Sequence, residues 1–164
     1  MISTPVPRKF TRAETAYHEA GHATAAWLLG LRFKNVTIVP GRQGTLGCIT
    51  ELNAPKWFRP GEQLTPRIRM MAERRIVTFF AGKCAQEQYL GKKVRSGYES
   101  DYDSAVALAA TLCSDSDVAD AYLHYCLTAS QALIRRHWSA VDRVAKTLLE
   151  KETVGFREVG MRIR

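Results

Sequence analysis

The segment Ala16-Tyr17-His18-Glu19-Ala20-Gly21-His22 contains the pattern H-E-x-x-H. Four residues along a helix is one turn plus about 40°, so both imidazoles leave the same face. Two neutral ring nitrogens so placed can share one Zn²⁺, which then requires a third protein ligand and an open position for water. Glu19 stands beside the pair, where a carboxylate can take a proton from a metal-activated water. The plainer alternative is two surface histidines and a solvated glutamate. Three fixed residues recur by chance in about one chain of this length in a few hundred.

A helix has to carry this pattern, and the flanking residues supply its ends. Thr11-Arg12-Ala13-Glu14 has the form of a capping box, with Thr11 as N-cap and Glu14 reaching back. Gly30 is the stop after about Leu29. Six alanines between Ala13 and Ala26 keep the helix slim, so a neighbour can approach its backbone closely.

Two β-like pieces follow, Asn35 to Val39 and Leu46 to Leu52, joined by a glycine-containing turn. Short length and Gly44 and Gly47 suggest a sheet edge. Such an edge either completes a structural hairpin or docks an extended peptide as an added strand. Trp57 and Phe58, on a proline-containing loop, either cover a cleft or tuck onto the core. Thr65-Pro66 opens a long helix ending at Gly91. Glu87 near its end either faces the metal pair or lies at the surface. Ser100 and Asp103 suggest capping of a third helix running to about Leu112, with Asp101 in its first turn. Asp101 is then either a helix-start charge or the missing third ligand. Two further helices are expected, roughly Asp117 to Arg136 and Ser139 to Lys151. His124 and His137 have no ligand-spaced companion and read as core or surface residues.

At 164 residues, with 46% hydrophobic and 24% charged residues, the chain is sized and composed as one globular domain. No apolar run is long enough for a transmembrane helix, and the opening residues lack the apolar centre of a signal peptide. Cys48, Cys84, Cys113 and Cys126 form no C-x-x-C pair and read as reduced thiols, which points to a cytoplasmic setting. The net charge of +8 invites a nucleic-acid reading, but Lys and Arg are dispersed and no RNA-binding signature or zinc finger accompanies them. Nucleic acid is therefore not the expected primary partner.

Taken in order, these pieces resemble the proteolytic domain of FtsH-type AAA+ zinc proteases. Ala16 to Ala23 looks like that family's zinc helix, and Val36-Thr37-Ile38-Val39-Pro40 with Leu46-Gly47-Cys48-Ile49-Thr50 is similar to its strands. Ala81-Gly82-Lys83-Cys84-Ala85-Gln86-Glu87 resembles its glycine-arginine-alanine-alanine-glutamate-glutamate helix, departing at Lys83 and Gln86. Ser96 to Asp101 resembles its threonine-glycine-alanine-serine-asparagine-aspartate segment, and Leu148 to Thr153 is similar to a stretch near its end. The likeness covers most of the chain from Tyr17 onward. It does not extend to metzincins, whose extra Gly and His would fall on Ala25 and Leu28.

The resemblance implies His18, His22 and Asp101 as zinc ligands and Glu19 as general base, with Asp103 at a variable family position. Glu87 would stand behind the ligands, and Leu46, Gly47, Cys48 and Ile49 would hold the substrate backbone. The implied fold is α+β and mainly helical: a zincin-like H-E-x-x-H helix, a small hairpin or edge sheet, and a C-terminal helical bundle. Residues 1–10 would be a flexible arm, 11–155 a single metallopeptidase domain, and 156–164 a basic tail.

The implied activity is a zinc metalloendopeptidase acting on unfolded or accessible segments. The alternatives are a catalytically weak peptide-binding module and an adaptor-dependent partner of a separate ATPase. No G-x-x-x-x-G-K-[ST] phosphate loop occurs in the chain, so ATP hydrolysis by these residues alone is not expected. Oligomeric state, oxyanion stabiliser and cleavage preference are not legible from the residues.

Overall fold

The computed structural model describes residues 10–41, 47–50 and 52–164. Residues 1–9, expected as an arm, and Leu46 lie outside the described residues.

Helix α1 spans Arg12–Leu28 and starts as its sequence dictates. Thr11 Oγ1 accepts from the Glu14 N–H at 3.1 Å, and Glu14 Oε2 accepts from the Thr11 N–H at 2.8 Å. Such a cap is worth about 1 kcal/mol. Helix α2, Pro66–Leu90, is capped by Thr65 and ended by Gly91, whose φ of 65° is the left-handed conformation that glycine adopts without strain. The two helices pack face to face along alanines. A Cβ on Gly21 would fall against the Ala81 carbonyl and 2.6 Å from Ala85 Cβ, so glycine at 21 sets how closely they approach.

Helix α3, Glu99–Ala110, begins earlier than Ser100 and Asp103 capping would allow. Its N-cap is Tyr98, with no side-chain cap. Glu99, already in the first turn, instead bonds back to the Gly97 N–H at 2.7 Å. Helices α4, Ser116–Arg136, and α5, Trp138–Lys151, follow, meeting at His137.

Strands β1, Asn35–Thr37, β2, Cys48–Thr50, and β3, Thr153–Gly155, form one antiparallel sheet in the order β2-β1-β3. The expected pairing of the first two strands is present, but β1 is central. Among the described residues, β2 is the sheet edge that reaches the cleft described below. The third strand comes from the far end of the chain, because Glu152 turns at φ 64° and leads α5 back so that Val154 pairs opposite Val36. The expected basic tail is helical: α6, Phe156–Ile163, buries Val159 and sets Gly160 against the Trp27 indole. Its apolar residues repeat at helical spacing among the arginines, which charge counting overlooks.

The core lies where α1, α2, α4 and α5 meet, around Ile76, Ile134, Val141, Val144 and Leu148, with Val36 and Val154 closing the sheet side. Trp57 and Phe58 tuck onto this core, and the Arg67 guanidinium lies 3.8 Å from the Trp57 ring centre. All four cysteines are free thiols. No helix among the described residues is long and apolar enough to cross a membrane. The fold is mostly helical, with a small three-stranded sheet beside the H-E-x-x-H helix.

Candidate functional site

The helical spacing of α1 brings His18 Nε2 and His22 Nε2 to 3.0 Å of each other. The first turn of α3 adds Asp101 Oδ2, 3.2 Å from His18 Nε2 and 3.1 Å from His22 Nε2. Donors on one tetrahedral zinc, with bonds of 2.0–2.1 Å, lie about 3.3 Å apart. Three protein atoms thus stand near three corners of such a tetrahedron. Asp103 is on the exposed side of α3 and takes no part.

Hydrogen bonds behind the imidazoles decide which way their lone pairs point. The His22 Nδ1–H donates to the Thr78 carbonyl at 2.8 Å, and the His18 Nδ1–H donates to Gln86 Oε1 at 3.3 Å. A carbonyl oxygen only accepts, so each ring holds a proton on Nδ1, and in its neutral, ligating form it turns an Nε2 lone pair inward. Two lone pairs and a carboxylate oxygen then converge. A proton can serve only one pair of them, whereas a cation at the centre serves all three. The donor set fits zinc, and His18, His22 and Asp101 are the residues that would hold it.

The electrostatics agree. Burial alone would lower the His22 pKa, but the charge and hydrogen bond of Asp101, with Glu19 and the Thr78 carbonyl, lift it to about 9. Burial would raise Asp101, yet His22 and His18 hold its carboxyl well below the ordinary carboxylate range. Both shifts record negative and positive partners crowded at one point. Glu19 is only 6% exposed, and burial pushes its carboxyl up against the opposing pull of His22 and His18. Its Oε2 has no hydrogen-bond partner among the described residues, an uncommon state for a buried oxygen.

Two glycines make room for this centre. A Cβ on Gly82 of α2 would strike His22 Nε2 and come within 2.7 Å of His18 Nε2. A Cβ on Gly47 would lie 2.9 Å from Glu19 Oε1 and 2.8 Å from the Thr37 carbonyl. The helix backbone and the strand backbone therefore close on the centre from two sides. A cleft of about 500 Å³ opens over it, lined by His18, Glu19, His22 and Asp101 together with Gly47, Cys48 and Ile49. Burial and the Glu19 charge raise the Cys48 thiol pKa.

Glu87 is elsewhere. Its carboxylate accepts from the Val94 N–H and from Lys93 Nζ, both at 3.1 Å, and lines a separate depression with Lys92 and Arg135. The residue behind His18 is its neighbour Gln86. Thr78, Gly82 and Gln86 recur every four residues, so one face of α2 backs the histidines. That spacing was available in the sequence. The need for an acceptor at Gln86 and for bare backbone at Gly82 was not.

Comparison with known proteins agrees with this geometry. The profile of peptidase family M41 matches residues 6–120. The ATP-dependent zinc metalloprotease FtsH 1 of Symbiobacterium thermophilum is 28% identical over 160 residues, 90% of this chain and 26% of the relative. The ATP-dependent zinc metalloprotease FtsH of Rickettsia bellii is 35% identical over 113 residues, 65% of this chain and 16% of the relative. The mitochondrial inner membrane m-AAA protease component YTA10 of Saccharomyces cerevisiae is 29% identical over 108 residues, again 65% of this chain and 13% of the relative. The chain thus spans about a quarter or less of the length of each of these curated relatives. With the ligand set, the buried glutamate and the family match in agreement, the chain belongs to peptidase family M41.

Proposed function

We propose that this chain is a zinc-dependent endopeptidase that hydrolyses peptide bonds in unfolded or otherwise accessible segments of protein. The observation that carries the reading is the buried Glu19, with an unpartnered oxygen, beside the convergent His18, His22 and Asp101 in one open cleft. When bound, zinc supplies Lewis acidity that acidifies water and polarises a carbonyl.

The chain's own residues do the rest. Asp101 and the two imidazoles hold the cation, while Thr78 and Gln86 keep both rings in the ligating tautomer. Water adds to the scissile carbonyl carbon, and Glu19 takes the proton that it gives up. Glu19 then delivers a proton to the departing nitrogen as the C–N bond breaks, leaving a carboxylate and an amine. Burial favours the protonated form of Glu19, which helps it to hold the proton between these two steps.

Strand β2 is proposed to bind the substrate backbone. It is a sheet edge, its outer side faces the cleft, and Gly47 lets the chain pass against Glu19. An extended peptide added to this edge would bring its carbonyl toward the centre through main-chain hydrogen bonds. Gly47, Cys48 and Ile49 are the described residues assigned to this role. The relatives' names include ATP-dependent proteases, and any ATP-driven unfolding is assigned to a separate ATPase unit rather than to these residues.

Zinc-loaded protein incubated with unfolded casein tests the proposal. Cleavage is expected, together with its loss by at least about 100-fold in Glu19→Gln at unchanged zinc content. A Glu19→Gln variant as active as the parent would refute the assigned base. Zinc-loaded parent that binds casein without cutting it would leave a peptide-binding module instead.

A further inference from the structure

Phe10, Gly97 and Glu99 line the same cleft as strand β2. We propose that Phe10 and Glu99 form a side-chain subsite that takes a lysine or arginine of the bound peptide. The inference rests on the peptidase reading, since it names the substrate feature that this same cleft selects.

Gly97 brings the pair together. Its φ of 89° is a left-handed conformation that a residue with a Cβ adopts only under strain. The Phe10 ring lies on its bare Cα, where an added Cβ would sit 2.6 Å from Phe10 Cε2. On the same residue, the Gly97 N–H donates to Glu99 Oε2 at 2.7 Å. An aromatic ring and a carboxylate therefore flank one glycine, and all three line the cleft. Glu99 is exposed, and its Oε1 has no protein partner among the described residues.

That combination is chemically selective. Long basic side chains carry an apolar stem and a charged head. A ring offers the stem a surface and the cation a π face, and a carboxylate offers the head a counter-charge. An acidic side chain would meet like charge at Glu99. Although the chain carries a net charge of +8, no lysine or arginine is among the described residues lining this cleft. Lys83, the nearby cation of α2, is held over the Tyr98 ring at 3.8 Å. The described residues of the cleft thus offer carboxylates and an aromatic ring within a basic protein.

Short peptides, identical except for one position occupied in turn by lysine, norleucine or glutamate, test the inference. Binding is measured by fluorescence anisotropy on zinc-loaded Glu19→Gln protein, with the variable position scanned along the peptide. At one position lysine should bind about five- to ten-fold more tightly than norleucine, and glutamate more weakly than both. Adding Glu99→Gln, which keeps an acceptor for the Gly97 N–H, should bring the lysine-to-norleucine ratio close to one. Adding Glu99→Lys should invert the order of lysine and glutamate. Phe10→Leu should lower the lysine-to-norleucine ratio by removing the π face.

Equal binding of lysine and glutamate at every position would overturn the proposal, as would a ratio that survives Glu99→Gln. Because the readout is binding, it decides the subsite whether or not the parent protein hydrolyses casein. Failure of casein hydrolysis alone counts against the peptidase reading only.

Discussion

Gln86 and Glu87 are adjacent residues of α2 in unlike surroundings. Gln86 is 3% exposed and holds His18 from behind, while Glu87 turns to Lys93 and the Val94 N–H in the loop after the helix. One step along a helix rotates the side chain by about 100°, enough to move it from the His18, His22 and Asp101 cluster to a different depression. The face of α2 toward α1 consists of Thr78, Ala81, Gly82, Ala85 and Gln86, small or neutral groups that let two helices and two imidazoles close up. The other face carries Lys83 and Glu87. Charge sits where it can be solvated, and the buried side near the ligands is kept neutral apart from Glu19 and Asp101. In a site built this way the chemistry depends on what is missing from a backbone as much as on the ligands.

The largest effect should come from filling that gap. Gly82→Ala places a methyl group on His22 Nε2 and His18 Nε2 and should abolish stoichiometric zinc binding, read by metal analysis of the purified protein. Gly61→Ala, which meets nothing within 4 Å, is the matched control and should bind a full equivalent. Zinc retention by Gly82→Ala would mean that the helices separate easily, and that their close packing does not define the centre.

Gln86→Ala leaves the His18 Nδ1–H without its acceptor. It should weaken zinc binding by about 10–100-fold in a competition assay with a chelator. The same change across the helix sharpens the contrast: Glu87→Gln should alter zinc affinity by less than about two-fold, an effect of distant surface charge. Equal losses at both positions would erase the distinction between the two faces.

A smaller, pH-dependent effect follows from the raised His22 pKa. With a folded value of about 9 against an ordinary 6.5, the imidazole of metal-free protein is protonated at pH 7.5 and must lose that proton to bind metal. Zinc uptake at pH 7.5 should release protons, visible as calorimetric enthalpies that depend on buffer ionisation, and affinity should rise between pH 7 and 9. The sign for metal-free stability is the opposite. The His22–Asp101 pair contributes fully below about pH 6.5 and is lost as pH rises through 9, so the thermal midpoint of metal-free protein should fall across that window. Zinc uptake without proton release would mean that His22 is already neutral at pH 7.5 in the metal-free protein.

Much of this was legible in the residues, because the signals were local. Thr11 and Glu14, Thr65 and Pro66, and Gly91 mark helix ends through bonds made within a few residues. The spacing of His18 and His22 specifies a shared face on any helix. The strands were legible as pieces but not as a sheet, since β3 pairs residues more than a hundred positions from β1 and its turn rests on a left-handed glutamate. The start of α3 was misplaced because Ser100 has the chemistry of a cap, while the bond that organises the turn runs from the Gly97 N–H to the side chain of Glu99.

The sequence by itself determined the two imidazoles, the glutamate beside them and the helix that carries all three, because a 3.6-residue repeat converts spacing directly into direction. Only the tertiary structure decided that Asp101 and not Asp103 points inward, that Gln86 and not Glu87 backs His18, and that Phe10 meets Glu99 across Gly97. Those choices depend on how separate elements are rotated and set against one another. Helix rotation and helix approach are governed by packing between distant side chains, which no local repeat encodes.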